Sequence, residues 1–285
     1  MNIFIMGGTA ESIEIIKFLK ENYSKNYIIT STTTEYGGNI AKESGSDKVI
    51  SRPLPKEDIL KVLDEYNIDL YIDATHPFAV HVTKTASEIV DIKKIPFIRF
   101  ERPSLHIEDI ENINLNNVYN LKSFEEAGKW IINQSLKGNV LHLGGINTAS
   151  SVLKNVEVDK FYIRVLRVKT SLDKCRELGI SEDHIFPMTA SKNKDKKISL
   201  KENLDLYKKV NAKIILTKES GDNGGFREKI EAANKLNIKI IIVNRPYIEG
   251  LNDKTVVSTI EELNKELKKI LWNLLLLLKS SSLIK

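Results

Sequence analysis

The run Asp73-Ala74-Thr75-His76-Pro77-Phe78-Ala79 holds the residue types best suited to chemistry in this chain. It follows the apolar stretch Asp69-Leu70-Tyr71-Ile72, which reads as a buried strand, and precedes a helical pattern opening near Val80. A strand that ends in Asp, Thr, His and Pro before a helix places polar side chains at the carboxyl end of a sheet. Open α/β sheets bind their ligands there. Pro77 fixes its own backbone and biases His76 away from helix, so the imidazole is presented from a turn. A plainer reading also holds: the run is an ordinary connection in which Asp or Thr caps the following helix.

Three further strand ends carry candidate residues. Gly7-Gly8-Thr9-Ala10-Glu11 lies between an apolar run and a helical pattern. Glycines there let a phosphate approach the backbone, and a helix N-terminus offers amides and partial positive charge. The pattern is not a complete GxGxxG, and Glu11 reads equally well as a carboxylate that complements the helix dipole. The second apolar run ends in Ser31-Thr32-Thr33-Thr34, with Glu35 only after them. An acidic residue at that place reads the ribose of NAD, whereas hydroxyls can donate to a 2′-phosphate. The residues therefore lean toward NADPH over NADH without deciding between them, and a polar turn is the alternative. Arg99 and Arg102 flank a further strand end and suit a polycarboxylate, because guanidinium binds carboxylates bidentately. Arg102 paired to Glu101 or Asp73 as a structural ion pair is the competing expectation. Thr217-Lys218-Glu219-Ser220-Gly221-Asp222-Asn223-Gly224-Gly225 forms a second glycine-rich strand-to-helix loop, with Lys218, Ser220 and Gly221 as its binding candidates; Gly-Asp-Asn-Gly is also plain turn chemistry.

The elements that must hold these loops alternate. Short apolar runs at 2–6, 27–29, 48–51, 70–72 and 96–99 are separated by helical spacings, as in Lys56 to Tyr66 with Ile59, Leu60 and Leu63. The stretch Ile107 to Asn120 breaks the pattern and is taken as the domain junction. Runs at 140–143, 161–166, 213–217 and 239–243 then resume it, with helical spacing in 199–210, 226–236 and 260–271. This alternation predicts an α/β protein of two Rossmann-like domains with mostly parallel sheets, 1–115 and 116–270, followed by an apolar tail, 271–285. The polar run 191–197 reads as a loop.

Composition narrows the classes. Of 285 residues 41% are hydrophobic and 28% charged, the balance of a globular protein. A net charge of +5 suits an anionic small molecule and gives no indication of nucleic acid. Cys175 is the only cysteine, so no disulfide forms within the chain, and the histidines have no zinc-ligand spacing; no metal site is expected. Neither a Walker A motif nor a G-x-S-x-G elbow occurs. The leucine-rich end falls short of the ~20 residues of a membrane span, and the first residues open into a strand rather than a signal peptide. A cytoplasmic protein without a membrane role is the expectation.

Taken together, Gly7-Gly8-Thr9 with Glu11, Asp73 to Ala79, Arg99 with Glu101-Arg102-Pro103, Thr217 to Gly221, Lys229, Ala232-Ala233 and Arg245-Pro246 resemble the precorrin-6A reductase family of cobalamin biosynthesis. The similarity runs from about residue 1 to 265, and Thr32 to Gly37 is closer to its cobalt-handling branch. Met188-Thr189-Ala190-Ser191 departs from the family's Gly-Pro-Phe turn. The resemblance implies a cleft between two Rossmann-like domains, in which NADPH or NADH passes hydride to C19 of (cobalt-)precorrin-6A to give the 6B form. Gly7, Gly8, Thr9, Ala10, Glu11, Ser31, Thr32, Thr33 and Thr75 would then hold the cofactor. His76, Pro77, Phe78, Arg99, Arg102, Lys218, Ser220 and Gly221 would hold the polycarboxylate tetrapyrrole. His76 is the one catalytic candidate, as a general acid titrating near neutrality. Transient contact with neighbouring pathway enzymes is a further expectation. Competing readings are a non-catalytic NAD(H)-sensing module and another small-molecule NAD(P)-dependent oxidoreductase, since fold does not fix function.

Overall fold

The computed structural model describes residues 1–134, 138–189 and 198–282; the polar run 191–197 lies outside them. In chain order the first elements are β1 (Asn2–Met6), α1 (Ala10–Asn22), β2 (Tyr27–Thr32), α2 (Glu35–Glu43), β3 (Lys48–Ser51), α3 (Lys56–Glu65), β4 (Leu70–Asp73), α4 (Val80–Lys93) and β5 (Phe97–Phe100). Then come β6 (Val118–Leu121), α5 (Phe124–Asn133), β7 (Asn139–His142), α6 (Ala149–Leu153), β8 (Phe161–Leu166), α7 (Lys169–Glu177) and β9 (Ile185–Met188). The last are α8 (Leu200–Val210), β10 (Ala212–Lys218), α9 (Phe226–Lys235), β11 (Lys239–Val243), β12 (Thr255–Val257) and α10 (Ile260–Ser282).

Two compact units result, Met1–Pro103 with Tyr247–Lys285, and Ser104–Pro246. In the first, the strands lie in the order β3-β2-β1-β4-β5-β12, all parallel. That is the dinucleotide-binding order, in which direction along the sheet reverses between β1 and β4. The second sheet runs β9-β8-β7-β10-β11-β6, again parallel, with its reversal between β7 and β10. The outer position filled by the last strand in one unit is filled by the first strand in the other.

This pairing corrects the expected boundaries of 115 and 270. Val256 and Val257 pair with Arg99 and Phe100, and Val257, Leu263 and Leu267 bury beside Ile98 and Phe100. The segment after Pro246 therefore belongs to the first unit. Ile107 and Ile110, in the supposed junction, instead pack with Leu141, Ile215 and Phe226 in the second core. Residues 271–282 are no separate tail, because α10 runs unbroken to Ser282, with Trp272 and Leu276 exposed. Among the described residues no helix is long and apolar enough to cross a membrane.

Alternation along the strands divides each sheet into two buried faces. Ile3 and Ile5 of β1 join Ile15, Ile16 and Leu19 of α1, while Phe4 and Met6 join Ile59, Leu63, Tyr71 and Ile89 on the opposite face. With helices fixed on both faces, the carboxyl edge is where the loops are free to carry polar groups.

Candidate active site

In the first unit the loops after β1 and β4 meet at the reversal of strand order. Thr9 caps α1: its Oγ1 accepts from Ser12 N at 3.2 Å and donates to Ala74 O at 2.7 Å, which ties the two loops together. Ser12 Oγ in turn accepts from Gly8 N and Thr9 N, each at 3.2 Å. Gly7 N donates to Ser31 O at 2.8 Å, so the loop continues the ladder with β2. Gly8 has φ +98 and is exposed with Ala10, and a Cβ at Gly8 would meet nothing within 4 Å. The thirteen-residue helix α1 points its N-terminus at that open surface.

Beneath the loop after β4 lies a fully buried charge pair. Register places Asp73 beside Arg99, and Arg99 Nη1 lies 2.8 Å from Asp73 Oδ1 with both side chains at 0% exposure. Asp73 Oδ1 also accepts from Thr75 N at 2.9 Å, and Arg99 Nη1 reaches Thr75 Oγ1 at 3.0 Å. Glu101 lies 3.6 Å from Arg99 Nε. Arg99 is therefore an internal brace of the Thr75 turn rather than a presented cation, which corrects the expectation that it meets substrate carboxylates. Arg102, mostly buried, lies 3.4 Å from Glu11. Glu11 is thus at once a first-turn helix carboxylate and the partner of a strand-end arginine.

His76 is half-buried, and its Nδ1 accepts from Phe78 N at 3.2 Å. That bond leaves Nε2 as the nitrogen that carries the proton in the neutral ring, so His76 offers a donor. Its ring centroid is 5.9 Å from that of Phe78, and Pro77 is buried. Ser31 and Thr32 are buried, and Thr32 Oγ1 donates to Thr34 O at 3.0 Å, so their hydroxyls face inward. Thr34 caps α2, and Thr33 is the exposed hydroxyl next to it.

The second unit repeats the arrangement with different chemistry. After β7, His142 is fully buried between Phe124 and Phe161, with its Nε2 2.9 Å from Thr148 Oγ1 and 3.2 Å from Gly145 O. Burial drives its pKa down to about 3, so the ring is neutral and shapes the Gly144-Gly145 turn. After β10, Glu219 accepts from Gly221 N at 2.8 Å and Leu105 N at 3.2 Å and forms an ion pair with Arg245. One carboxylate thereby fixes the glycine-rich loop, the entry of the chain into this unit and the segment by which it leaves. Lys218 is half-buried at the strand end, and Ser220 and Gly221 are buried. Below the loop, Lys229 Nζ donates to Gly224 O at 2.8 Å, and Arg164 Nη1 donates to Asn203 Oδ1 at 2.8 Å. Reading the residues by strand-end position passed over Glu219, Arg164 and the roles of His142 and Lys229. For Glu219 a signal existed, an acid two residues before a loop glycine.

A dinucleotide fits the first unit on these observations: a glycine at positive φ with open space, a capped helix end, and an exposed hydroxyl at the end of β2. Among the described residues no group of three or more potential ligands could hold a metal ion.

Fold and topology define a protein of two Rossmann-like units, each with a reversal of strand order. A family model described as precorrin-6x reductase CbiJ/CobK matches residues 2–268, and the chain belongs to that family, whose members are oxidoreductases acting on a tetrapyrrole intermediate. A cobalt-precorrin-6A reductase of Methanocaldococcus jannaschii is 37% identical over 251 residues, 87% of this chain and 92% of that protein. The enzyme of the same name from Priestia megaterium is 28% identical over 91% of this chain and 95% of its own length. A solved structure, CobK precorrin-6A reductase, superposes with a TM-score of 0.68 at 15% identity, covering 95% of this chain and 97% of that one, which shows the shared fold.

Proposed function

We propose that this chain reduces cobalt-precorrin-6A to cobalt-precorrin-6B with a reduced nicotinamide cofactor, NADPH in preference to NADH. The carrying observation is the β1/β4 switch point. There an open positive-φ glycine and a helix N-terminus adjoin a Thr75-His76 turn braced by a buried ion pair. When bound, the cofactor would supply the hydride that C19 of the macrocycle accepts and leave oxidised, and a proton from solvent would complete the two-hydrogen gain. Gly8 leaves open space for its phosphates, which Ala10 and the start of α1 hold through backbone amides, and Thr33 offers its hydroxyl to a 2′-phosphate on the adenosine ribose. Gly7, Thr9 and Glu11 shape that loop from within, and Ser31 and Thr32 set the end of β2. Arg99 and Asp73 fix the backbone of Thr75, so that His76 and Phe78 meet the ligand from one defined turn. His76 presents Nε2–H as a hydrogen-bond donor to the macrocycle, a positioning role that needs no change of charge. Arg102 anchors Glu11, and Lys218 with Ser220 and Gly221 binds anionic groups. The macrocycle is conjugated, so orientation of two ligands carries most of what the protein must do.

Anaerobic incubation of the purified protein with cobalt-precorrin-6A and each reduced nicotinamide, followed by mass spectrometry, tests this. A two-hydrogen gain that is faster with NADPH is expected. Binding of cofactor with no turnover of the macrocycle would favour a sensing module instead. A cytoplasmic location and transient contact with neighbouring pathway enzymes belong to the same reading.

A further inference from the structure

Two basic side chains of the second unit are buried with no ion pair to a carboxylate among the described residues, and Glu202 and Glu228 act on Arg164 and Lys229 only through the field. Lys229 is 9% exposed and Arg164 8%, and among the described residues each donates to a neutral oxygen, of Gly224 and Asn203 respectively. Such groups normally pair with an anion when they leave water. A second observation falls at the same place. Ser220 Oγ is buried with no hydrogen-bond partner among the described residues, and a Cβ on Gly224 would collide with it. The ammonium of Lys229 and the orphan hydroxyl of Ser220 therefore converge on one peptide, that of Gly224, from inside the loop. Gly221 (φ +66) and Gly225 (φ +64) flank it, so the peptide sits between two residues able to change conformation cheaply.

We propose that Ser220 Oγ and Lys229 Nζ form an oxyanion subsite under Gly224, in which a carboxylate or phosphate oxygen of a ligand replaces the Gly224 carbonyl as the acceptor of Lys229 and becomes the acceptor of Ser220. This deepens, and rests on, the reading that the Lys218–Gly225 loop binds an anionic group. The exchange gives the ammonium a charged oxygen in place of a neutral one and gives the hydroxyl an acceptor it lacks. The amides of Gly221, Gly224 and Gly225 are already engaged with Glu219, Gly221 and Asp222, so side chains rather than a backbone nest supply the binding. Most of the charge acting on Lys229 is positive. Arg164 from β8 and Lys218 from β10 oppose its protonation, and Glu228 on its own helix alone favours it. The Glu219–Arg245 pair and the Asp222–Arg227 pair, 3.9 Å apart, are each internally balanced, and Tyr207 of α8 touches the backbone oxygen of Lys229 rather than its amine.

Desolvation lowers Lys229 to about 7, so near pH 8 the unliganded amine is largely neutral and a bound anion draws a proton onto it. The anion comes either from the cofactor's phosphates or from the macrocycle's carboxylates, and separate titrations tell them apart. Isothermal calorimetry of the full chain, in buffers of different ionisation enthalpy, counts protons taken up with NADPH alone and with cobalt-precorrin-6A alone. One of the two ligands should take up close to one proton at pH 8 and close to none at pH 6. Lys229→Met should abolish that uptake and weaken the same ligand by roughly 10- to 100-fold. Its unliganded melting temperature should rise, which also shows that the variant folds. Lys229→Arg should recover most of the affinity with no uptake, because arginine stays charged. Ser220→Ala should weaken the ligand by roughly 2- to 13-fold and leave the uptake in place. Uptake that survives in Lys229→Met, or is absent from the wild type with both ligands, overturns the subsite. Lys218→Ala separates this from the underlying reading. If it weakens a ligand that Lys229→Met leaves untouched, only the subsite fails; if neither variant affects either ligand, the loop's ligand-binding role fails with it.

Discussion

Replacing Arg99 by alanine should destabilise the first unit far more than it weakens any ligand. Arg99 and Asp73 are both at 0% exposure and lie 2.8 Å apart. Removing the guanidinium leaves a carboxylate buried without its counter-charge, a loss of about 3–5 kcal/mol. At ~2–4 °C per kcal/mol for a domain of this size, the melting temperature should fall by about 6–20 °C. Differential scanning calorimetry without ligands measures this directly. Removing both charges, Asp73→Asn with Arg99→Met, should recover much of the loss, because no unpaired charge then stays buried. Arg99→Lys keeps the counter-charge and should recover part of the loss, since a single nitrogen, Nη1, makes the contacts to both Asp73 Oδ1 and Thr75 Oγ1. If Arg99→Ala melts like the wild type but binds the macrocycle much more weakly, the arginine meets substrate and the brace described here is wrong.

Three other outcomes follow from the same geometry. His142 has a pKa of about 3 in the fold against 6.5 when unfolded, so the unfolded chain binds the extra proton and stability should fall as pH drops from 6.5 toward 3. Urea midpoints measured between pH 7 and 5, above the carboxylate range, should show this slope, and His142→Gln should flatten it. His76→Asn keeps a donor near the macrocycle and should lower single-turnover reduction less than tenfold; a fall of roughly 10²–10⁴ with both ligands bound would make the ring the proton source. Thr33→Val should weaken NADPH by roughly 2- to 13-fold relative to NADH in fluorescence titrations, and equal losses for both would place that hydroxyl away from the 2′-phosphate.

How far the residues announce this structure depends on where each strand lies. β1, β4, β10 and β11 are buried along most of their length, and their unbroken apolar runs make them legible. β6, β9 and β12 are outer strands of three or four residues with exposed positions, and β9 contains Pro187, tolerated only at an edge. They leave almost no pattern. The return of the chain to the first unit was hidden for the same reason, since it depends on the pairing of Thr255 with Ile98 and not on any local signal. The site divides similarly. Loops at strand ends are found by position, so Gly8, Thr75, His76 and Lys218 were legible as candidates. Whether a charge at a strand end faces ligand or core depends on register, and Arg99 stands directly beside Asp73. Lys229 looks like any helix lysine until the glycine-rich loop folds over it.

The two switch points share a topology but differ in how their charge is balanced. In the first unit the buried cations have carboxylate partners: Arg99 with Asp73 and Arg102 with Glu11. What that loop offers a ligand is backbone, hydroxyl and imidazole, groups that orient an uncharged reacting edge or cradle a phosphate through amides. In the second unit, among the described residues, Arg164 and Lys229 donate to neutral oxygens, and the loop carboxylate Glu219 is engaged by Arg245 and by two amides. An uncompensated buried cation lowers stability, so its retention is understandable where a ligand supplies the missing negative charge. On that reasoning the first unit positions and the second unit neutralises. On the function proposed above, a polyanionic macrocycle and a phosphorylated cofactor would call on both, the one for compensation of charge and the other for a fixed position.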